Sequence, residues 1–347
     1  MTNIFDIIDE LERSHSLSLE EYELILSSRS PETADYLAKR ADAVRRAVFG
    51  NTVYIRGLIE VGNICRNDCL YCGIRRSNES LERYALTPEQ ILDCADEGHA
   101  LGFRTFVLQG GEGYFSAREV ADVVRQLKKH HPDCAVTLSL GEYTREDYAL
   151  MREAGADRYL LRHETANARH YARLHPAEMS FDERMRCLYD LRELGYQVGC
   201  GFMVGSPYQT LHDLALDLKF VEGFSPEMCG IGPFIPQRDT PFGGYNAGSA
   251  ELTIYLLSIL RLIKPTLLLP ATTALGTIAE DGRERGIRAG ANVIMPNLSP
   301  KSERRKYALY DNKLYSGRES AQEIEALRRA MEQLGYEIVV ARGDAAV

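Results

Sequence analysis

The feature that most restricts the fold is an alternation that begins at Val53, where eight short runs of strand character are separated by amphipathic helical stretches. The runs are Val53 to Val61, Thr105 to Leu108, Ala135 to Leu140, Arg158 to Leu161, Gln197 to Val204, Met228 to Ile231, Thr266 to Leu269 and Asn292 to Met295. Strands joined through helices pair in parallel by right-handed crossovers, and eight is the number that closes a barrel. The expected fold is therefore α/β, a (β/α)8 TIM-type barrel, with an open doubly wound sheet as the alternative. In either case chemistry belongs at the carboxyl ends of the strands. Helix starts agree with this pattern: Thr87-Pro88-Glu89-Gln90 reads as an N-cap, a Pro at the first helical position and a capping Gln, and Ser180-Phe181-Asp182-Glu183 reads as a second capping box.

Ahead of the alternation, Ile4, Ile7, Ile8 and Leu11 recur at helical spacing, and Leu19 to Leu26 and Thr33 to Phe49 follow in the same manner. Residues 1–50 are expected to form an N-terminal helical cap, residues 51–310 the barrel, and residues 311–347 a short C-terminal extension. Within that extension, Glu319 to Val340 reads as a helix and then a strand, with no assigned role. No run reaches the roughly 18 apolar residues of a membrane span, since Leu256 to Leu269 is broken by Arg261, Lys264 and Pro265. Nothing at the amino terminus resembles an export signal, so a cytoplasmic address without membrane contact is expected. Net charge is −9 with Lys and Arg dispersed, which argues against a nucleic-acid partner, because phosphate binding needs a concentrated basic face.

Of eight cysteines, Cys94, Cys134, Cys187, Cys200 and Cys229 are isolated in apolar contexts and read as small buried hydrophobes. The other three, Cys65, Cys69 and Cys72, follow the first strand as C-x3-C-x2-C, where a barrel places its active site. A structural zinc site is one reading, but it normally takes four ligands and no fourth His or Cys lies at a suitable spacing. Three thiolates on one loop suit a 4Fe-4S cluster whose remaining iron takes an outside ligand.

With Tyr71 directly before the last cysteine, this loop resembles that of the radical S-adenosylmethionine superfamily. The resemblance implies a 4Fe-4S cluster on Cys65, Cys69 and Cys72, S-adenosyl-L-methionine chelating its fourth iron, and Tyr71 near the adenine. Taken alone, Tyr71 could equally be a loop aromatic packed on the rim. Gly110-Gly111-Glu112 at the end of the second strand could be ordinary turn chemistry. Placed one strand after the cysteines, it matches the superfamily's GGE motif, which holds the methionyl amine.

Further along, LRHETAN at 161–167, GIGPFIPQRDTP at 230–241, PATTALGT at 270–277 and GANVIMPN at 290–297 resemble one family within the superfamily, the HydE maturases that help assemble the diiron subcluster (H-cluster) of iron-iron hydrogenase. The likeness extends from about Val53 to Tyr310. It implies that Ser139, Glu164 and Arg184 contact S-adenosylmethionine, and that Arg162, Thr272, Thr273, Tyr307 and Tyr310 line the substrate cavity. It also implies a cysteine-bound iron complex with carbon monoxide and cyanide as substrate, a partner maturase, a scaffold GTPase and an electron donor. Without the resemblance, Arg184 could be a helix-surface cation, Ser139 a turn residue, Thr272 and Thr273 a loop or an N-cap, and the two tyrosines one stripe of a core-facing helix. No catalytic residue is assigned. Two departures stand out: there is no Cys after Cys229 to hold an auxiliary cluster, and Gly113 follows the GGE where an acidic residue is common. The rival functions are a methylornithine synthase or biotin synthase-like enzyme, with an amino-acid-like substrate, and a non-catalytic iron-sulfur electron carrier.

Overall fold

The computed structural model describes residues 3–315 and 317–345. The first strand run divides into β1 (Thr52–Ile55) and β2 (Gly57–Gly62), and the rest of the chain supplies β3 (Thr105–Gly110), β4 (Ala135–Ser139), β5 (Arg158–Leu160), β6 (Gln197–Cys200), β7 (Met203–Val204), β8 (Met228–Cys229), β9 (Gly232–Pro233), β10 (Val293–Ile294) and β11 (Glu337–Val339). The order β2-β3-β4-β5-β6-β8 makes a parallel sheet of six strands. Short parallel bridges carry it onward, from Met228 to Leu268, from Pro270 to Val293, then from β10 to β1 and from Asn297 back to Leu58. A (β/α)8 barrel results.

The departures from the expected strands have local causes. At Arg56 the first run changes partners, because β1 lies between β10 and β11 while β2 pairs with β3. The run from Thr266 to Leu269 makes only bridges, because Leu267 N is taken by Lys264 O in a turn and Pro270 has no N–H to donate. The run from Gln197 to Val204 splits at Gly201, and its upper half, β7, pairs with β9.

Apolar periodicity forms the helices and their caps set the ends. Thr87 and Gln90 make the full reciprocal box expected of them. Ser180 accepts from Glu183 N, but the Glu183 carboxylate turns to Arg186 at 2.9 Å, leaving that second box half made. At the amino end, helices Ile4–Ser14, Leu19–Ser27 and Pro31–Phe49 bury Ile7, Ile8, Leu11, Tyr22, Ile25 and Leu37 in the main core. Arg45, fully buried on the third helix, donates to Ala291 O, Gly50 O and Thr52 O, which pins that helix to the base of the barrel. At the other terminus, helix Ile324–Gln333 precedes β11, which joins β1 in parallel. Among the described residues no helix is long and apolar enough to cross a membrane.

Candidate active site

The loop after β2 is held by backbone and side-chain bonds from distant positions. Asn63 donates to Glu82 O and Lys306 O at 2.8 and 2.7 Å and accepts from Tyr84 N at 2.8 Å. The Arg83 guanidinium donates to four carbonyls of the loop, those of Asn63, Ile74, Arg75 and Asn78, at 2.6 to 2.9 Å. Asp68 accepts from Ser77 N and Oγ and faces Arg75 at 2.8 Å. The outcome is a rigid frame for Cys65, Cys69 and Cys72, which are half-buried free thiols. Burial pushes all three up, Cys72 to about 12. A metal cluster that takes them as thiolates replaces their protons and supplies the positive charge that the apolar surroundings lack, so this donor set fits one.

The glycine motif backs directly onto the cysteines. A Cβ on Gly111 would lie 2.9 Å from Cys65 Cβ and nearer still to Ile64 O, so only glycine permits the approach. Glu112 N points to Cys65 Sγ at 3.4 Å, and Arg66 N donates to Glu112 O at 2.8 Å. The buried Glu112 carboxylate takes the Arg66 guanidinium at 2.8 and 3.0 Å. Gly113 has φ 82° and its Cβ would press on the Arg66 side chain, which accounts locally for the departure at that position.

Around this core the remaining candidates converge unevenly. Tyr71 donates to His175 Nε2 at 3.2 Å, because His175 Nδ1 donates to Tyr171 O at 2.9 Å and leaves Nε2 as the acceptor. Burial pushes His175 down to about 3, which keeps it neutral in that role. Arg184 is not a surface cation: it is buried, its Nε meets Glu142, and Nη1 donates to Arg162 O at 3.0 Å. Burial is the largest influence and works against its charge, but Glu142 together with Tyr171, Glu112 and Tyr71 outweighs it, so its pKa lies above the ordinary arginine value. Glu164 is buried with Arg162 Nη2 at 3.3 Å. Ser139 ends β4, level with Gln109 of β3. His163 turns away to Asp217.

Above the loop, inside the ring, lies a cavity of about 1090 Å³ counted to its mouth, lined by Tyr71, Cys72, Gln109, Arg162, Thr272, Thr273 and Tyr310 among others. Among its lining atoms, Arg162 Nε and Nη2 and Thr272 Oγ1 have no hydrogen-bond partner among the described residues, and neither does the neighbouring Glu164 Oε2. Thr272 occupies the N-cap position of helix Thr273–Ile278 yet makes no side-chain cap bond, so the capping explanation does not account for it. Thr273 Oγ1, in contrast, donates to Glu319 at 2.8 Å. Tyr307 and Tyr310 sit just after a 3-10 turn (Arg304–Lys306) rather than on one helix stripe. Tyr310 lines the cavity, whereas Tyr307 is packed behind it, its hydroxyl accepting from Gln109 at 3.4 Å. Two charged lining residues escaped the sequence reading: Glu60, fully buried on β2, meets Lys313 and accepts from Asn297 at 2.9 Å. Their separation of 253 residues left no local signal.

Residues 59–221 match the Radical SAM superfamily, the segment carrying the cysteine loop, the glycine motif and Arg184. The chain is 44% identical over 331 residues to the [FeFe] hydrogenase maturase subunit HydE of Thermotoga maritima, covering 95% of this chain and 94% of that one. This chain belongs to the HydE family of radical SAM enzymes. Like other members of the superfamily, this HydE-family enzyme is expected by kinship to use a 4Fe-4S cluster and S-adenosylmethionine. Its fold is similar to the crystal structure of methylornithine synthase (PylB), at a TM-score of 0.85 and 27% identity over 96% of this chain and 97% of that one. The maturase HydG shares the fold at a TM-score of 0.81 and 20% identity, over 96% of this chain and 75% of the other.

Proposed function

We propose that this HydE-family enzyme cleaves S-adenosylmethionine at a 4Fe-4S cluster on Cys65, Cys69 and Cys72 and acts on a small organometallic substrate during assembly of the diiron subcluster of iron-iron hydrogenase. The observation that carries the reading is the cavity itself, lined both by Tyr71 and Cys72 and by Arg162 and Thr272 groups that make no hydrogen bond among the described residues. When bound, cluster and cofactor together supply a one-electron reduction of the sulfonium that releases methionine and a 5′-deoxyadenosyl radical. Gly110 to Glu112 and Ser139 would seat the methionyl part, Tyr71 and Glu164 the adenosyl part, and Arg184 would hold its charge beside them. Arg162 and Thr272 supply donors to an anionic group such as carboxylate or cyanide. The strand and loop side chains around the cavity exclude water from a reactive species. A partner maturase making the substrate, a scaffold GTPase taking the product and an external electron donor follow from the same reading.

The test is reconstituted hydrogenase maturation with partner maturase and scaffold, run beside anaerobic assay of 5′-deoxyadenosine. Both activities are expected in the wild type, and cofactor cleavage without any maturation would remove the hydrogenase assignment. A second reading, amino-acid isomerisation like that of a methylornithine synthase, is favoured by the PylB likeness and by a cavity holding both Arg162 and the Glu60–Lys313 pair. An isomerised amino acid among the products would support it instead.

A further inference from the structure

Glu164 is a non-glycine residue in the left-handed conformation, with φ 65°. Such a state is costly and persists where the surroundings over-determine it. Its own backbone is fixed on one side, since Glu164 N donates to Gly201 O at 3.0 Å and Met203 N donates to Glu164 O at 3.3 Å. On its flanks a single atom does the rest. Gly201 N donates to His163 Nδ1 at 3.3 Å, which leaves the ring proton on Nε2, and Nε2 donates to Asp217 Oδ1 at 3.2 Å. Ala166 N donates to the same Oδ1 at 2.6 Å. Asp217, fully buried on helix Leu211–Phe224, thereby ties the chain immediately before Glu164 and two residues after it.

We infer that Asp217, through the His163 ring and the Ala166 amide, is a positioning residue that holds Glu164 in its left-handed conformation and so aims its carboxylate at the cofactor. This rests on the reading of Glu164 as a cofactor-binding residue. Glu164 Oε2 is buried, has Arg162 Nη2 at 3.3 Å and makes no hydrogen bond among the described residues, which leaves its lone pairs open to a ligand. Both bonds to Asp217 fall on Oδ1, and Oδ2 has no partner, so an amide in place of the carboxyl group retains both. Burial raises the Asp217 pKa, in keeping with a group that works without a charge.

The experiment is anaerobic equilibrium dialysis of radiolabelled S-adenosylmethionine against the cluster-loaded enzyme, with iron content and melting temperature measured in parallel. Asp217→Leu is expected to lower affinity about tenfold, the factor that follows when a competent conformer falls to about a tenth of the population. Asp217→Asn is expected to stay within about threefold of the wild type. In a Glu164→Gln background, Asp217→Leu should add no more than about twofold, because two residues acting through one contact are not additive. The inference is overturned if Asp217→Leu binds as the wild type does, if it costs the same factor in both backgrounds, or if Asn is as harmful as Leu. Should Glu164→Gln alone bind normally, the reading of Glu164 fails and takes the inference with it. A weakened Glu164→Gln beside a silent Asp217→Leu removes the inference only. If Asp217→Leu does not fold, His163→Phe, which keeps the ring against Phe202 and Phe220, takes its place with the same expected and overturning results.

Discussion

Arg158 opens β5 and Arg162 lies two residues beyond its end, at the floor and at the upper mouth of the same barrel, and the protein treats them in opposite ways. At the floor, Arg158 is completely buried and each of its three nitrogens has a partner: Nε in Gln197 at 3.1 Å, Nη1 in Thr105 at 3.0 Å, and Nη2 in Arg342 O at 3.0 Å and in Asp344. At the mouth, Arg162 Nε and Nη2 have no hydrogen-bond partner among the described residues, and the Glu164 carboxylate 3.3 Å away is off line. Withdrawing a guanidinium from water costs several kcal/mol unless its donors are satisfied. The protein's own oxygens meet that cost for Arg158, which is structural, whereas the proposed function gives the Arg162 donors to a ligand.

The largest effect separating the two ends should come from Cys69→Ala. Two thiolates do not hold a cluster against solvent, so iron is expected to fall from about four per chain to nearly none and cofactor cleavage to vanish, with circular dichroism still reporting a folded barrel. Cleavage retained under dithionite would remove the cysteine loop from the site. Next, Arg158→Met should lower unfolding free energy by about 3–5 kcal/mol, since it strands buried partners, against less than about 1 kcal/mol for the half-exposed Arg162→Met. Equal losses in urea titrations would break the comparison. Glu164→Gln and Arg184→Gln are each expected to weaken S-adenosylmethionine binding by about one to two decades, the effect of one charged hydrogen bond worth about 1.5–3 kcal/mol, with iron content unchanged. The last effect concerns acid and accumulates gradually with pH. His163 and His175 are both depressed by burial to about 3, while an unfolded histidine titrates near 6.5, so the unfolded chain binds more protons between those values. Stability should hold above about pH 6.5 and decline on acidification toward pH 3, with a slope of up to about 2.7 kcal/mol per pH unit for the two together. Replacing either histidine by glutamine should flatten that slope.

How far the fold and site could be read beforehand follows the range of the interactions involved. Strand–helix alternation and the Thr87 cap act over a few residues; the cap appears as read, and the alternation does so apart from the two divided runs and the bridged stretch from Thr266 to Leu269. The cysteine spacing and Gly111 are similarly local, since the glycine is needed where β3 meets the neighbouring loop. Arg83, Glu142, Asp217, Glu60 and Lys313 gave no such signal, because each acquires meaning only when the fold brings a distant partner to it. Glu142 and Arg184, for example, are 42 residues apart and Asn63 and Lys306 are 243 apart. Thr272 and Thr273 look identical in sequence. Only the structure divides them, giving one hydroxyl to Glu319 and leaving the other without a partner.

That division permits the most direct test of the claim that unmet donors at the mouth bind substrate. Thr272→Val and Thr273→Val, singly and together, can be compared for uncoupled S-adenosylmethionine cleavage and for reconstituted hydrogenase maturation, since valine nearly keeps threonine's shape while removing its hydroxyl. The double variant is expected to keep its cluster and its cofactor cleavage while maturation falls sharply, with Thr272→Val accounting for most of the loss. Full maturation by the double variant would contradict the assignment of this pocket, and equal loss of cleavage and maturation would mean that the substitutions had damaged the barrel instead.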